Sequence, residues 1–124
     1  MTAKHVRIGW WAATAGWATV IFALSAQPGS NLPGGYAVQA HFTEYAILAA
    51  LLFLALREGR RTWVAIALAV AIASVYGISD EFHQSFVPLR TPDVLDWVVD
   101  TIGALAGASV AAGVTSLMAR RSRQ

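Results

Sequence analysis

Ionisable side chains occur at helical spacing inside otherwise apolar stretches of this chain. His41, Glu44 and Tyr45 stand three and four positions apart near the start of one long apolar run. Residues with this spacing share one face of a helix, so the three side chains are predicted to project together. Because an ionised group inside a bilayer is unfavourable and usually faces a polar cavity, the pattern indicates a functional site.

Two further polar groups lie near the ends of later apolar runs. Asp80, Glu81, His83 and Gln84 close the third run, and Asp96 and Asp100 open the fourth. Neighbouring carboxylates and histidines can serve as general acids and bases. Carboxylate-rich sites also suit Mg²⁺, Mn²⁺ or Ca²⁺, and histidine nitrogens permit Zn²⁺. Alternatively, Asp80 and Glu81 have no chemical role and are solvated residues at the end of a helix.

The composition decides what kind of element must position these groups. Of the 124 residues 56% are hydrophobic and 13% are charged, about half the charged share of an average soluble domain. This balance excludes an ordinary soluble domain, a disordered tail and a nucleic-acid-binding module. The chain has no cysteine, so disulfides and thiolate metal sites are excluded as well.

Four apolar runs are each long enough to approach a membrane span. They cover about residues 8–25, 38–56, 62–79 and 94–118. At about 20 residues per span, four spans fit the chain and a fifth would not fit comfortably. All four prolines lie in the first and third connections, where they do not interrupt a helix. We therefore predict an all-α bundle of four transmembrane helices, forming one domain over residues 1–124.

The basic residues predict the orientation of this bundle. Eight of the nine fall on one side of it: Lys4, Arg7, Arg57, Arg60, Arg61, Arg120, Arg121 and Arg123. The positive-inside rule places that side, with both termini, in the cytoplasm. Six of the seven acids gather at the other side, so the polar site is predicted to be extracytoplasmic. Alternatively, the first run is a cleavable signal peptide, whose removal would leave the other three orientations unchanged.

Several of these residues also have structural interpretations. Asp93 can cap the last helix, with Asp96 completing a carboxylate version of the capping box. Arg90, the one cation on the acidic side, either forms a structural ion pair or clamps a phosphate or carboxylate. Gly103 and Gly107 form a G-x-x-x-G motif that favours close helix packing. The apolar character of segment 85–92 predicts that it lies in the membrane interface or folds back over the bundle.

The polar residues of the last two runs form one long motif at fixed spacing. It comprises Gly77, Asp80-Glu81, His83-Gln84, Phe86, Pro88-Leu89-Arg90, Asp96, Asp100 and Gly103. This motif resembles the signature of the VanZ-like family of bacterial membrane proteins, in which the position of Asp100 is Asn or Asp. Segment 25–28, with His41 and Tyr45, is also similar to that family. The resemblance implies a small multi-pass protein of the bacterial inner membrane, and the founding member's association with teicoplanin resistance suggests a similar link here.

One hypothesis is an enzyme that acts on the headgroup of a lipid or cell-envelope precursor. Its predicted catalytic residues are Asp80, Glu81, His83, His41 and Glu44. Its predicted substrate contacts are Gln84, Arg90, Asp96, Asp100 and Tyr45. A divalent metal cation is a candidate cofactor, with Asp80, His83 and Glu44 as its ligands. The chain lacks a nucleophile elbow, a phosphate loop and an H-E-x-x-H motif, so its sequence does not decide whether it is an enzyme.

The alternative hypothesis is a non-catalytic protein of the lipid bilayer. The same pocket would then bind a lipid-linked ligand or an antibiotic, or serve the architecture alone. An ion-coupled transporter, formed by a homo-oligomer, is a third option in which the acids act as relay sites. Their clustering at one side, without a matching set elsewhere along the spans, argues against transport.

Overall fold

Four α-helices make up the fold in the computed structural model, which describes residues 1–28 and 37–124. They are α1 (Ala3–Ser25), α2 (Ala37–Leu56), α3 (Thr62–Gln84) and α4 (Val94–Arg121). Each is long and apolar enough to cross a membrane, and the described residues include no strand. The predicted all-α architecture with four spans is confirmed. The loop position predicted for Pro33 lies outside the described residues.

The helices extend beyond the predicted apolar runs. Helix α1 begins at Ala3 instead of residue 8, α3 ends at Gln84 instead of residue 79, and α4 ends at Arg121 instead of residue 118. Hydropathy marks only the apolar part of a helix, whereas backbone hydrogen bonds continue through polar residues at its ends. Residues 80–84, which include Asp80 and Glu81, therefore lie on a helix, and the helix fixes the direction of their side chains relative to the bundle.

Helix α2 occupies the centre of the bundle. It packs against α1, α3 and α4, whereas α1 and α4 do not pack against each other over the described residues. Alanines from α3 and α4 line the core beside larger α2 residues such as Leu48, Leu52 and Phe53. Such small residues let helix backbones approach closely, which matters in a membrane because packing contacts hold the helices together there.

The two glycines of the G-x-x-x-G motif lie where α4 meets α2. A Cβ atom on Gly103 would overlap the carbonyl oxygen of Phe42, and one on Gly107 would overlap that of Ala46. The predicted close packing is therefore confirmed. Its consequence is that the first turns of α4 lie directly beside the first turns of α2, where His41 is found.

Aromatic side chains tie the helices together through hydrogen bonds. The Trp17 indole N–H on α1 donates to the Glu44 carbonyl oxygen on α2, at 2.8 Å. The Tyr76 hydroxyl on α3 donates to the Ala18 carbonyl oxygen on α1, at 2.6 Å. Trp97 on α4 donates to the Ser74 carbonyl oxygen on α3, at 3.0 Å. These three bonds link α1, α2, α3 and α4 into one unit.

The start of α4 shows how the connection before it is fixed. The Asp93 carboxylate accepts a hydrogen bond from the Leu95 backbone N–H at 2.9 Å, which confirms the predicted N-cap. The second half of the predicted capping box is wrong. The Asp93 N–H donates to Glu81 Oε2 at 2.9 Å, so Glu81 on α3 takes the place foreseen for Asp96.

A polar cluster at one end of the bundle

Six polar side chains from three helices meet at the end of the bundle opposite the basic residues. Helix α2 brings two of them, one turn apart, and the end of α3 and the start of α4 bring two each. We call this group the polar cluster; its members are His41, Tyr45, Asp80, Glu81, Asp96 and Asp100. All six were among the predicted site residues.

The imidazole of His41 lies between two carboxylates of α4. Its Nδ1 is 2.8 Å from Asp100 Oδ1, a distance typical of a hydrogen bond. Its Nε2 is 3.7 Å from Asp96 Oδ2, which is too long for a direct hydrogen bond. His41 is 5% exposed and Asp100 is fully buried. The ring is therefore held in one orientation by Asp100, and its other nitrogen faces Asp96 across a gap.

A second pair joins α2 to α3 deeper in the same cluster. The Tyr45 hydroxyl donates to Asp80 Oδ2 at 3.3 Å, and both side chains are buried. A buried carboxylate needs such partners, because leaving one unpaired costs about 1–3 kcal/mol or more. This pairing gives Asp80 a structural role in addition to its predicted chemical one.

Gly77 makes room for this arrangement. A Cβ atom there would lie 3.1 Å from Asp100 Oδ2, 3.3 Å from Trp97 Cδ1 and 3.4 Å from Tyr45 Cε1. The first two distances are tighter than ordinary van der Waals contact, and the third is at its lower limit. A larger residue than glycine would therefore crowd the polar cluster at this position. From the sequence alone, Gly77 was recognised only as the first residue of the motif.

Three members of the polar cluster present ligand atoms close enough to share an ion. Donor atoms of His41, Glu81 and Asp100 all lie within 4.8 Å of one another. Within the described residues, this is a different set from the predicted ligands Glu44, Asp80 and His83. The ring of His83 stacks instead on Phe22 of α1, with 4.3 Å between ring centroids. Helical spacing grouped His83 with Asp80, but it could not reveal the aromatic partner that α1 supplies.

The other predicted site residues lie at the edge of the polar cluster. Glu44 is half-buried on α2, and Gln84 is buried at the end of α3. The Arg90 guanidinium donates to the carbonyl oxygens of Gln27 and Leu24, at 3.1 and 3.2 Å. Arginine side chains near a helix C-terminus can bond the last carbonyl oxygens of the helix in this way.

This contact holds segment 85–92 against the end of α1. Of the two positions predicted for the segment, the one found is that it folds back over the bundle. The predicted ion pair of Arg90 is not found: over the described residues, its hydrogen bonds go to backbone carbonyls.

A cavity of about 250 Å³ opens beside Glu81, between the end of α3 and the start of α4. Ile78, Val94 and Trp97 form its apolar walls, and Glu81 and Asp93 supply carboxylates. Glu81 belongs both to this cavity and to the three residues that share ligand distances. A larger cavity, about 530 Å³, lies at the basic end of the bundle and is remote from the polar cluster.

A comparison with sequence models of protein families shows which family the chain belongs to. Residues 10–117 match the sequence model of VanZ/LLP1. The chain belongs to the VanZ/LLP1 family. This confirms the resemblance seen in the motif, and the match includes every residue of the polar cluster. Comparisons with curated proteins and with solved structures gave no match.

Family membership and the four apolar helices together make the chain a multi-pass membrane protein. In this VanZ/LLP1 protein the polar cluster combines an oriented imidazole with four carboxylates and a buried phenol. Such a set can accept or donate protons, bind a cation, or accept hydrogen bonds from hydroxyl and amino groups. The hydrogen bond from Trp17 to the Glu44 carbonyl oxygen was not predicted from the sequence. The position of Trp17 in the middle of an apolar run was the one feature that could have indicated it.

Proposed function

We propose that this VanZ/LLP1 protein is a single domain of the bacterial inner membrane that binds the polar headgroup of a lipid or lipid-linked cell-envelope precursor. The termini lie in the cytoplasm, and the polar cluster faces the extracytoplasmic leaflet. The segregation of eight cations from six acids supports this orientation, since basic residues are retained on the cytoplasmic side.

The cavity beside Glu81 carries the proposal. Its apolar walls offer contacts for the hydrocarbon part of an amphiphile, while Glu81 gives the headgroup a route to the polar cluster. Ligand sites commonly combine apolar walls with a few polar groups in this way. Charged residues within membrane spans also typically mark substrate or ion sites.

The donor and acceptor balance favours a headgroup that carries hydroxyl or amino groups. Carboxylates accept hydrogen bonds, and the polar cluster has four of them: Asp80, Glu81, Asp96 and Asp100. Arg90 is engaged at the end of α1. Its predicted contact with an anionic headgroup, and that of Gln84, remain predictions within this proposal.

Chemical processing of the headgroup is a second candidate, favoured by the pairing of His41 with Asp100. A carboxylate that orients a histidine through one ring nitrogen leaves the other nitrogen free to act as a general base. In this version the lipid leaves the site altered. The two candidates differ in whether the bound molecule is recovered unchanged.

Lipid mass spectrometry on the purified protein tests the proposal. We expect the wild type to retain a specific amphiphile that is depleted roughly tenfold in Glu81→Gln, since one charge-assisted hydrogen bond contributes about 1.5–3 kcal/mol. Val94→Trp, which fills the cavity and preserves every charge, should deplete it too. Glu58→Gln, at the basic end, is the matched control and should retain it. The same lipid profile in all four proteins would contradict the proposal.

The family resemblance adds one cellular measurement. Cells that express the wild type should survive higher teicoplanin concentrations than cells expressing Glu81→Gln at equal membrane abundance. Equal susceptibility would remove the link to resistance while leaving headgroup binding to be judged from the lipid profile.

A further inference from the structure

The three residues that converge in the polar cluster have the composition of a metal site. We infer that His41, Glu81 and Asp100 bind one divalent transition-metal ion, Zn²⁺ or Mn²⁺. They come from three different helices, and their donor atoms lie within 4.8 Å of one another. Ligands about 2.1 Å from a common ion lie roughly 3–4 Å apart, so only small side-chain adjustments are needed to close the site.

Unpartnered carboxylate oxygens point to a missing positive group. Asp100 is fully buried, and its Oδ2 has no hydrogen-bond partner. Glu81 Oε1 is a buried atom without a partner as well. Folded proteins seldom leave buried polar atoms unsatisfied, and each such atom calls for an explanation such as an ion. A cation held between Glu81 and Asp100, whose ligand atoms lie within 4.8 Å of each other, would give both carboxylates a positive partner.

The surroundings of His41 match those of a metal-bound histidine. The ligand atom is Nδ1, because it is 2.8 Å from Asp100 Oδ1 and an ion held by both atoms replaces their hydrogen bond after a small adjustment. Nε2, on the far side of the ring, then faces Asp96 Oδ2 at 3.7 Å. A carboxylate beside the second ring nitrogen commonly fixes the tautomer and direction of a ligating imidazole. Asp96 is thus placed to orient His41, with Glu81 and Asp100 as the carboxylate ligands.

The charge balance of the polar cluster favours the same conclusion. The polar cluster holds four carboxylates and one imidazole, and over the described residues no Lys or Arg forms a salt bridge with any of the four. Burying ionised groups without a countercharge is strongly unfavourable. A dication supplies that countercharge inside the apolar bundle.

The donor types select the class of metal. Mg²⁺ and Ca²⁺ favour oxygen ligands alone, whereas an imidazole nitrogen with carboxylates suits Zn²⁺ and Mn²⁺. The role of the ion rests on the proposed function: next to Glu81 it lies where a headgroup would enter from the cavity. Metal binding itself can be measured without any lipid.

Calorimetric titration of the purified full chain with Zn²⁺ or Mn²⁺, after treatment with a chelator, tests the inference. We expect one ion per chain, with the affinity lowered at least roughly 10–100-fold in His41→Gln and in Glu81→Gln. At the same concentration the ion should also raise the melting temperature of the wild type by more than that of Glu81→Gln. The test does not depend on Asp100→Asn, a variant that could fail to fold because Asp100 is fully buried.

Two controls make the outcome specific. Glu58→Gln removes a carboxylate at the other end of the bundle and should bind the ion as the wild type does. His83→Gln separates the two candidate ligand sets, because His83 belongs only to the set predicted from spacing; it should retain the ion. Loss of the ion in His83→Gln, binding of Mg²⁺ as tight as that of Mn²⁺, or a folded wild type that binds no ion would overturn the inference.

The metal site and headgroup binding can be refuted separately by these measurements. A wild type that holds a specific lipid, lost in Glu81→Gln, but takes up no ion would refute the metal site and leave the proposed function standing. A wild type that binds the ion through His41 and Glu81 but retains no specific lipid would support the metal site and contradict headgroup binding.

Discussion

Tyr45 and Asp100 are among the largest side chains that the bundle encloses completely. Both are polar, whereas the other buried residues are mostly Ala and Leu. Each has a partner from another helix: Asp80 accepts from Tyr45, and His41 bonds to Asp100. Polar groups at such depth specify one relative placement of α2, α3 and α4, because any other placement would leave them unpaired.

Tyr45→Phe isolates the contribution of one such pair. The substitution keeps the ring and removes the donor to Asp80, so we expect a loss of about 1–3 kcal/mol in unfolding free energy. Tyr76→Phe is the matched control, because its hydroxyl bonds to the Ala18 carbonyl within α1, which the helix backbone already engages. It should cost about 1 kcal/mol or less. Thermal melting in detergent compares the two, and equal losses would argue against a special role for the Tyr45–Asp80 pair.

At the scale of helices, the register of small residues in α4 determines how closely it approaches α2. Gly103 and Gly107 face the α2 backbone, whereas Gly113 has open space around the position of a Cβ atom. The same residue type therefore has opposite consequences at two places on one helix. Close approach at Gly103 also brings Asp100, one turn earlier, up to His41.

Alanine substitutions at Gly107 and Gly113 should change stability in opposite directions. At Gly107 the added methyl group would overlap the Ala46 carbonyl, so α2 and α4 must separate, at a cost of about 1–3 kcal/mol. At Gly113 alanine meets nothing and gains helix propensity, about 0.8–1 kcal/mol. We expect Gly107→Ala to melt at a lower temperature than the wild type and Gly113→Ala at the same or a higher one. Destabilisation of both to a similar degree would contradict this packing register.

Much of the architecture could be predicted from the sequence because its signals are local. Hydropathy located four helices, helical spacing grouped His41 with Glu44 and Tyr45, and the charge distribution put most of the acidic residues at the same end of the bundle. Which groups pair across helices depends on rotation and depth, and spacing within one helix contains neither. The predicted ligand His83 therefore faces Phe22, while Glu81 joins His41. The cavity beside Glu81 likewise arises only from the meeting of α3 and α4.

At the scale of the whole molecule, charge is divided between the two ends of an up-and-down bundle. Arg7 at the start of α1 lies 3.8 Å from Glu58, in the turn between α2 and α3. At the other end, Arg90 reaches Leu24 and Gln27 at the end of α1. Successive helices thus alternate in direction, and the eight basic residues near their ends all lie on one side.

Single-cysteine labelling tests the orientation that follows from this division. The chain has no cysteine, so each introduced thiol is the only one present. Thr91→Cys lies in the exposed connection between α3 and α4, and Ser122→Cys lies in the exposed segment after α4. With the basic end in the cytoplasm, a membrane-impermeant maleimide should label Thr91→Cys on intact spheroplasts and Ser122→Cys only after lysis. The reverse pattern would place the polar cluster on the cytoplasmic side, and a headgroup bound there would have to come from the inner leaflet.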